Sequence, residues 1–189
     1  MLVSQEVIKA YQVVKSGGVL LYPTDTIYGL GCDAMNESGI ERIFQIKRRD
    51  FRKRFIILLD TAEKLTLYLE QVPAIAWDLL EQTVRPTTFI YPSAKNLPSN
   101  LLAEDGSIAI RIVDKHEFCR RLISMLGHPL VSTSANISGQ LEPITFDQIS
   151  EEIKNAVDYI VPPLHFVEDL RPSTIIRLID DYNFEIIRE

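Results

Sequence analysis

This chain has little with which to build a metal centre or a disulfide framework. It has two cysteines, Cys32 and Cys119, in no CxxC pattern, and three scattered histidines, His116, His128 and His165. Zinc needs four ligands at recognisable spacing, so both cysteines are expected as buried free thiols and no protein-held metal is expected. No apolar run reaches the roughly 18 residues that would mark a membrane-spanning helix. The first residues lack the charged and apolar regions of a signal peptide, and the cytoplasm is the expected location. Neither GxxxxGK[ST] nor GxGxxG occurs, so any nucleotide is held by another device. Positive charge is also in the minority: 20 Lys and Arg against 26 Asp and Glu give a net charge of −6. That balance excludes a uniformly basic nucleic-acid coat and confines any RNA contact to a patch.

Against this background one segment stands out. Six of the 20 cations fall within eight positions, Lys47-Arg48-Arg49-Asp50-Phe51-Arg52-Lys53-Arg54. An acidic protein that concentrates cations in one place is built to hold an anion there. A helix C-terminus attracts one or two cations through its dipole, not six. If the run is extended, Lys47 and Arg49 point to the same side and could grip a triphosphate, Arg by a bidentate contact and Lys as a point charge.

Helical periodicity after Ser4 stops at Gly17-Gly18, and a second helix carries Ile40, Ile43, Phe44 and Lys47. Asp60 opens a short third helix, and Pro73 opens another, amphipathic one. Asp60-x-x-Glu63, Asp114-x-x-Glu117 and Thr145-x-x-Gln148 read as capping boxes. Apolar or β-rich runs predict strands at 19–22, 55–59, 87–91, 107–112, 129–131, 158–161, 173–178 and 184–188. Helices and strands alternate first and strands cluster later, which predicts an α/β fold with a mixed sheet rather than a purely parallel one. There are no repeats and no linker.

Two polar segments follow apolar strands, where α/β sheets place ligands. Thr24-Asp25-Thr26 opens a turn ending in Gly29-Leu30-Gly31. Ser132-Thr133-Ser134-Ala135-Asn136 offers hydroxyls, backbone N–H groups and an amide to an anion. Each is also compatible with a turn that bonds only its own backbone. No Ser/His/Asp set is supported, so chemistry would rest on positioning and charge neutralisation.

Together the segments 22–31, Ile46-Lys47-Arg48-Arg49, Arg85-Pro86-Thr87-Thr88, 108–111, 132–139, Pro172-Ser173-Thr174-Ile175-Ile176 and Ile186-Ile187-Arg188 resemble the YrdC/TsaC family of threonylcarbamoyl-AMP synthases, whose hallmark is the Lys-x-Arg. The resemblance implies one YrdC-like domain over residues 1–189, the short form, built on a single twisted mixed, partly antiparallel sheet with flanking helices and a large concave basic cavity. It implies synthesis of threonylcarbamoyl-AMP and pyrophosphate from L-threonine, bicarbonate and ATP, with Mg²⁺ accompanying ATP. A downstream threonylcarbamoyl transferase would carry the group to tRNA. By motif position Lys47 and Arg49 would be catalytic and bind ATP, together with Lys53, Thr88, Ser134, Asn136 and Arg188. Thr26, Arg111 and Ser132 would bind threonine, and Thr24, Tyr28, Ser173 and Thr174 would line the cavity. The chain departs from the family pattern at Asp50 and Arg54, where prolines are usual, at Leu58, where some members have His, and at Arg171, where Gly is frequent. The added cations Arg52, Arg54 and Arg85 motivate an alternative, a tRNA- or double-stranded-RNA-binding module of the same fold.

Overall fold

The computed structural model describes residues 2–164 and 171–189; His165 lies outside them. The strands are β1 (Leu20–Tyr22), β2 (Gly29–Gly31), β3 (Ile56–Leu59), β4 (Thr87–Tyr91), β5 (Ile108–Ile112), β6 (Leu130–Ser134), β7 (Tyr159–Ile160), β8 (Thr174–Leu178) and β9 (Phe184–Arg188). Among the described residues they form one sheet in the order β7-β1-β2-β6-β3-β5-β4-β8-β9. Three neighbouring pairs are parallel (β1 with β7, β3 with β5, β4 with β8) and the others antiparallel. The expected mixed sheet is present.

The helices are α1 (Leu2–Lys15), α2 (Glu37–Lys47), α3 (Leu65–Tyr68), α4 (Ala74–Gln82), α5 (Glu117–Leu126) and α6 (Glu151–Ala156). None is long and apolar enough to cross a membrane among the described residues. Side chains alternate across each strand, and the alternation separates two cores. Leu21, Leu30, Ile57, Phe89, Ile110, Val131 and Ile176 pack on one face with Ile40, Ile43 and Phe44 of α2. On the other face Leu20, Tyr22, Leu58 and Leu130 meet Val7, Ala10 and Val14 of α1 and Phe118 and Leu122 of α5. These two helices cover the part of that face that carries Leu20, Tyr22, Leu58 and Leu130; the Ile56 end of β3 and the Ser132–Ser134 end of β6 are left open together with β5, β4 and β8, and the cavity lies there.

Several local expectations are corrected. Gly29-Leu30-Gly31 is no turn: it is strand β2, fully buried between β1 and β6. Small residues are required there, because a Cβ on Gly31 would stand 2.6 Å from both Val131 O and Tyr22 Cε1. Gly31→Ala is therefore expected to cost about 1–3 kcal/mol by overpacking, read as a lowered midpoint in chemical denaturation.

Two of the three capping boxes fail. Helix α5 is capped by His116, whose Nδ1 accepts from Cys119 N at 3.3 Å, rather than by Asp114. Asp60 instead accepts from Lys64 Nζ at 2.8 Å. The third holds: the Gln148 side chain accepts from Thr145 N at 3.2 Å. Strand β6 also runs on through Ser132, Thr133 and Ser134 rather than ending at 131.

A candidate anion-binding cavity

The end of α2 decides where the basic cluster goes. Arg48 takes the left-handed conformation (φ 49°), its N–H bonds Gln45 O, and Arg49 N bonds Phe44 O. These two bonds form a Schellman termination. The chain is therefore not extended from 47 to 49, and Lys47 and Arg49 do not share a side. Lys47 stays on the buried face of the helix at 0% exposure. Its ammonium donates to Ser134 O, to Asn136 O at 2.8 Å and to Asn136 Oδ1 at 3.0 Å. Ser134 Oγ donates to the same Oδ1 at 2.7 Å, and Asn136 Nδ2 reaches Gln140 O. Burial, and then the Arg49 charge, pull the Lys47 pKa down to about 7.

Arg49 turns toward a cavity of about 370 Å³. Its Nε and Nη2 donate to Lys53 O and Arg54 O, and its guanidinium lies over the Phe55 ring. Burial lowers its pKa, and the nearby Glu142 charge opposes that shift. The open sheet face forms the cavity floor, with Ile56, Thr88, Ile90, Ala109, Arg111, Ser132, Ser134 and Ile175 contributed at alternate positions. The register brings Thr88 opposite both Arg111 and Ile175, and Ile56 opposite both Ala109 and Ser132.

One wall comes from the loop between β1 and β2. Thr24 Oγ1 donates to Ile27 O at 2.7 Å and accepts from Thr26 N at 3.0 Å. With its proton committed, it also accepts from the Thr26 hydroxyl at 3.0 Å. Tyr28 lines this wall beside Phe146, and burial raises its pKa to about 12. The opposite wall is closed by Arg188 of β9, which donates twice to Ser173 O, while the Ser173 and Thr88 hydroxyls lie 2.8 Å apart.

Of the residues expected at the site, Thr24, Thr26, Tyr28, Arg49, Thr88, Arg111, Ser132, Ser134, Ser173 and Arg188 line this cavity. Lys47, Asn136, Lys53 and Thr174 do not. Lys47 and Asn136 brace the Ser134 turn from behind, Lys53 offers its carbonyl to Arg49 while its side chain is exposed, and Thr174, one residue out of phase with Ile175, faces away.

Sequence reasoning missed Asp25, Arg54, Glu142 and Arg177. Asp25 pairs with Arg111 at 2.8 Å, both groups largely buried. It lies in the wall between this cavity and a second one of about 770 Å³ that reaches His116 and Trp77. Period two back from Ile56 would have found Arg54. Arg177 follows Ser173 and Ile175 at the same period of two, whereas Glu142 carries no sequence signal.

Two cations of the basic cluster are neutralised locally. Arg48 pairs with Glu152 and Arg52 with Asp50, each at 2.6 Å. Even so, Arg49, Arg52, Arg54, Arg111, Arg177 and Arg188 face the cavity with one carboxylate, Glu142, among its lining residues.

A mixed sheet with one half-bare face, floored by hydroxyls and ringed by guanidinium groups, defines an α/β domain made to enclose a small polyanion. The comparisons with known proteins agree with the α/β architecture. A family model described as Telomere recombination, covering Sua5, YciO and YrdC, matches residues 12–189, and the chain belongs to this family. It is 35% identical over 170 residues to the threonylcarbamoyl-AMP synthase of Pseudoalteromonas translucida, covering 88% of this chain and 89% of that one. Escherichia coli YciO superposes with a TM-score of 0.83 at 28% identity, over 97% of this chain and 88% of the other. Sua5 of P. abyssi, solved in complex with L-threonine, superposes with a TM-score of 0.80 at 26% identity. The match covers 91% of this chain but only 50% of that Sua5 chain.

Proposed function

We propose that this protein is an L-threonylcarbamoyladenylate synthase, acting as a single unit over residues 1–189 in the cytoplasm. The observation that carries the reading is the joining, in one cavity, of a hydroxyl-and-arginine corner (Thr26, Ser132, Arg111) with the Arg49 guanidinium. The first suits an amino acid with carboxylate and hydroxyl groups, the second a phosphate chain. The name of the Pseudoalteromonas relative and the threonine complex of Sua5 support the same assignment.

On this reading Arg111 and Ser132 hold the threonine carboxylate and Thr26 orients the molecule. The threonine amine attacks the carbon of bicarbonate or CO₂ and gives a carbamate. A carbamate oxygen then attacks the α-phosphorus of ATP in line, and pyrophosphate leaves. Arg49 neutralises charge gathering on the leaving group. Thr88, Ser134 and Arg188 sit on the nucleotide side. Lys47, which the Lys-x-Arg resemblance would place at the phosphates, acts instead from behind the cavity, where its bonds to Ser134 and Asn136 set the shape of the phosphate-side turn.

One carboxylate in the lining makes no protein cage for a divalent cation. Mg²⁺ therefore fits only as a passenger of the nucleotide, neutralising phosphate charge while held by phosphate oxygens and water. The product would pass to a threonylcarbamoyl transferase that modifies tRNA. The RNA-binding alternative has less support, because, of the cations that motivate it, Arg52 is already paired with Asp50 and Arg54 lines the cavity.

The purified chain is expected to release pyrophosphate from ATP only when L-threonine and bicarbonate are both present. Release that ignores threonine would refute the assignment.

A further inference from the structure

Resting on the synthase reading, we propose that Arg54 is a triphosphate-binding residue of this chain, a second guanidinium beside Arg49 at the pyrophosphate end of the cavity. The placement follows from strand geometry. Phe55, Ile57 and Leu59 enter the buried core, so the intervening positions belong to the other face. Ile56 lines the cavity, and Arg54, two residues earlier and half-buried, lines it too.

The loop is locked so that the side chain stays there. Arg49 Nη2 donates to Arg54 O at 3.1 Å, and Arg54 Nη1 donates to Asn100 O at 2.9 Å. That bond uses one of the five donors of a guanidinium, leaving the rest for a ligand. Asn100 is itself held, with Nδ2 bonded to Glu37 O at 3.3 Å. Arg54 is thus anchored on one edge and directed into the same space as Arg49.

Which end of the cavity it serves follows from register. Strands β3 and β5 run parallel with Ile56 opposite Ala109 and Leu58 opposite Arg111. Position 54 therefore aligns with 107, four residues before Arg111, or roughly 13 Å along the strand. Arg54 is displaced along the strand from Arg111 toward the loop that Arg49 grips, where the Arg49 guanidinium bonds the Arg54 carbonyl. Lys47, the cation the sequence pairs with Arg49, has all three ammonium protons engaged with Ser134 and Asn136. Arg54 supplies a second positive charge next to Arg49 that is not committed in this way.

Calorimetric titration of the wild-type chain and R54A with ATP, pyrophosphate, AMP and L-threonine tests this without depending on turnover. The expected result is a loss of tenfold or more in affinity for ATP and pyrophosphate, with AMP and threonine within twofold of wild type. R54K should recover part of the loss, since it restores charge without the fork. Equal weakening for ATP and AMP, or none for ATP, overturns the proposal. If R54A does not fold, R54K and R54Q are compared on the same ATP-to-AMP ratio, and an unchanged ratio in both overturns it equally. Wild-type protein that binds neither ATP nor threonine would overturn the synthase reading itself. Wild-type binding with an unaffected R54A overturns only the role of Arg54.

Discussion

Asp25→Ala is expected to lower folding stability by about 3–5 kcal/mol, measured by denaturant unfolding. Asp25 and Arg111 face each other at 2.8 Å with 12% and 4% of their side chains exposed. Taking two charges out of water is costly, and their mutual attraction offsets that cost only while both are present. Truncating Asp25 leaves an arginine that cannot shed its proton in a wall that water barely reaches. The pair also fixes a direction. Arg111 projects from β5 into the cavity, opposite Thr88, and Asp25 holds the guanidinium from the second-cavity side. Asp25→Asn keeps the shape and loses the charge. It is expected to fold, to raise the KM for threonine on the order of tenfold, which is 1.4 kcal/mol, and to leave the KM for ATP nearly unchanged. Equal effects on both substrates would mean a general loosening rather than a misaimed Arg111.

Lys47→Met is expected to reduce kcat/KM on the order of 100-fold while the chain still folds. Methionine preserves the apolar stem but cannot donate to Ser134 O, Asn136 O or Asn136 Oδ1, so the turn that shapes the phosphate side of the cavity loses its strut. The pH dependence of stability gives a second, independent signature. Burial and Arg49 lower the Lys47 pKa to about 7, whereas an unfolded lysine keeps its proton to about 10.4. Between those values the unfolded state binds more protons, so the contribution of this residue to stability increases with pH, by up to about 1.4 kcal/mol per unit. Wild type minus K47M should therefore show a rising difference from pH 7 to 10. Parallel curves would mean that the lysine titrates normally.

How far the sequence could be read depends on whether the deciding interaction is local. Strands β4 and β9 have the bounds their β-forming residues predict, and α5 ends at Gly127 in the left-handed conformation, as a terminal glycine suggests. The helix starts at 60–63 and 114–117 were misplaced because a carboxylate three residues before a glutamate satisfies the local pattern whether or not the backbone turns there. At 114–117 the histidine next to the true start took the cap. Strand β2 was read as a turn because its glycines signal flexibility, when they are present to let β1 and β6 approach from either side. In the site, nine of the ten expected residues that meet in the cavity lie on a strand or in a segment next to one, while Arg49 is delivered by the turn that ends α2. Lys47 was assigned an extended neighbour that the Schellman turn forbids, a matter of one φ angle at Arg48. Asp25 was passed over because its partner is 86 residues away in the chain.

The cavity draws on residue 24 at one end of the chain and residue 188 at the other, the latter bonded back to Ser173 across β8 and β9. During synthesis, therefore, the earlier strands can collapse into a stable lattice while the binding site still lacks a wall. A polypeptide on the ribosome stays unable to enclose its substrates until residues 184–188 have emerged and docked against β8. Competence for binding is thus an event in time, set by the final strand rather than by the formation of the core.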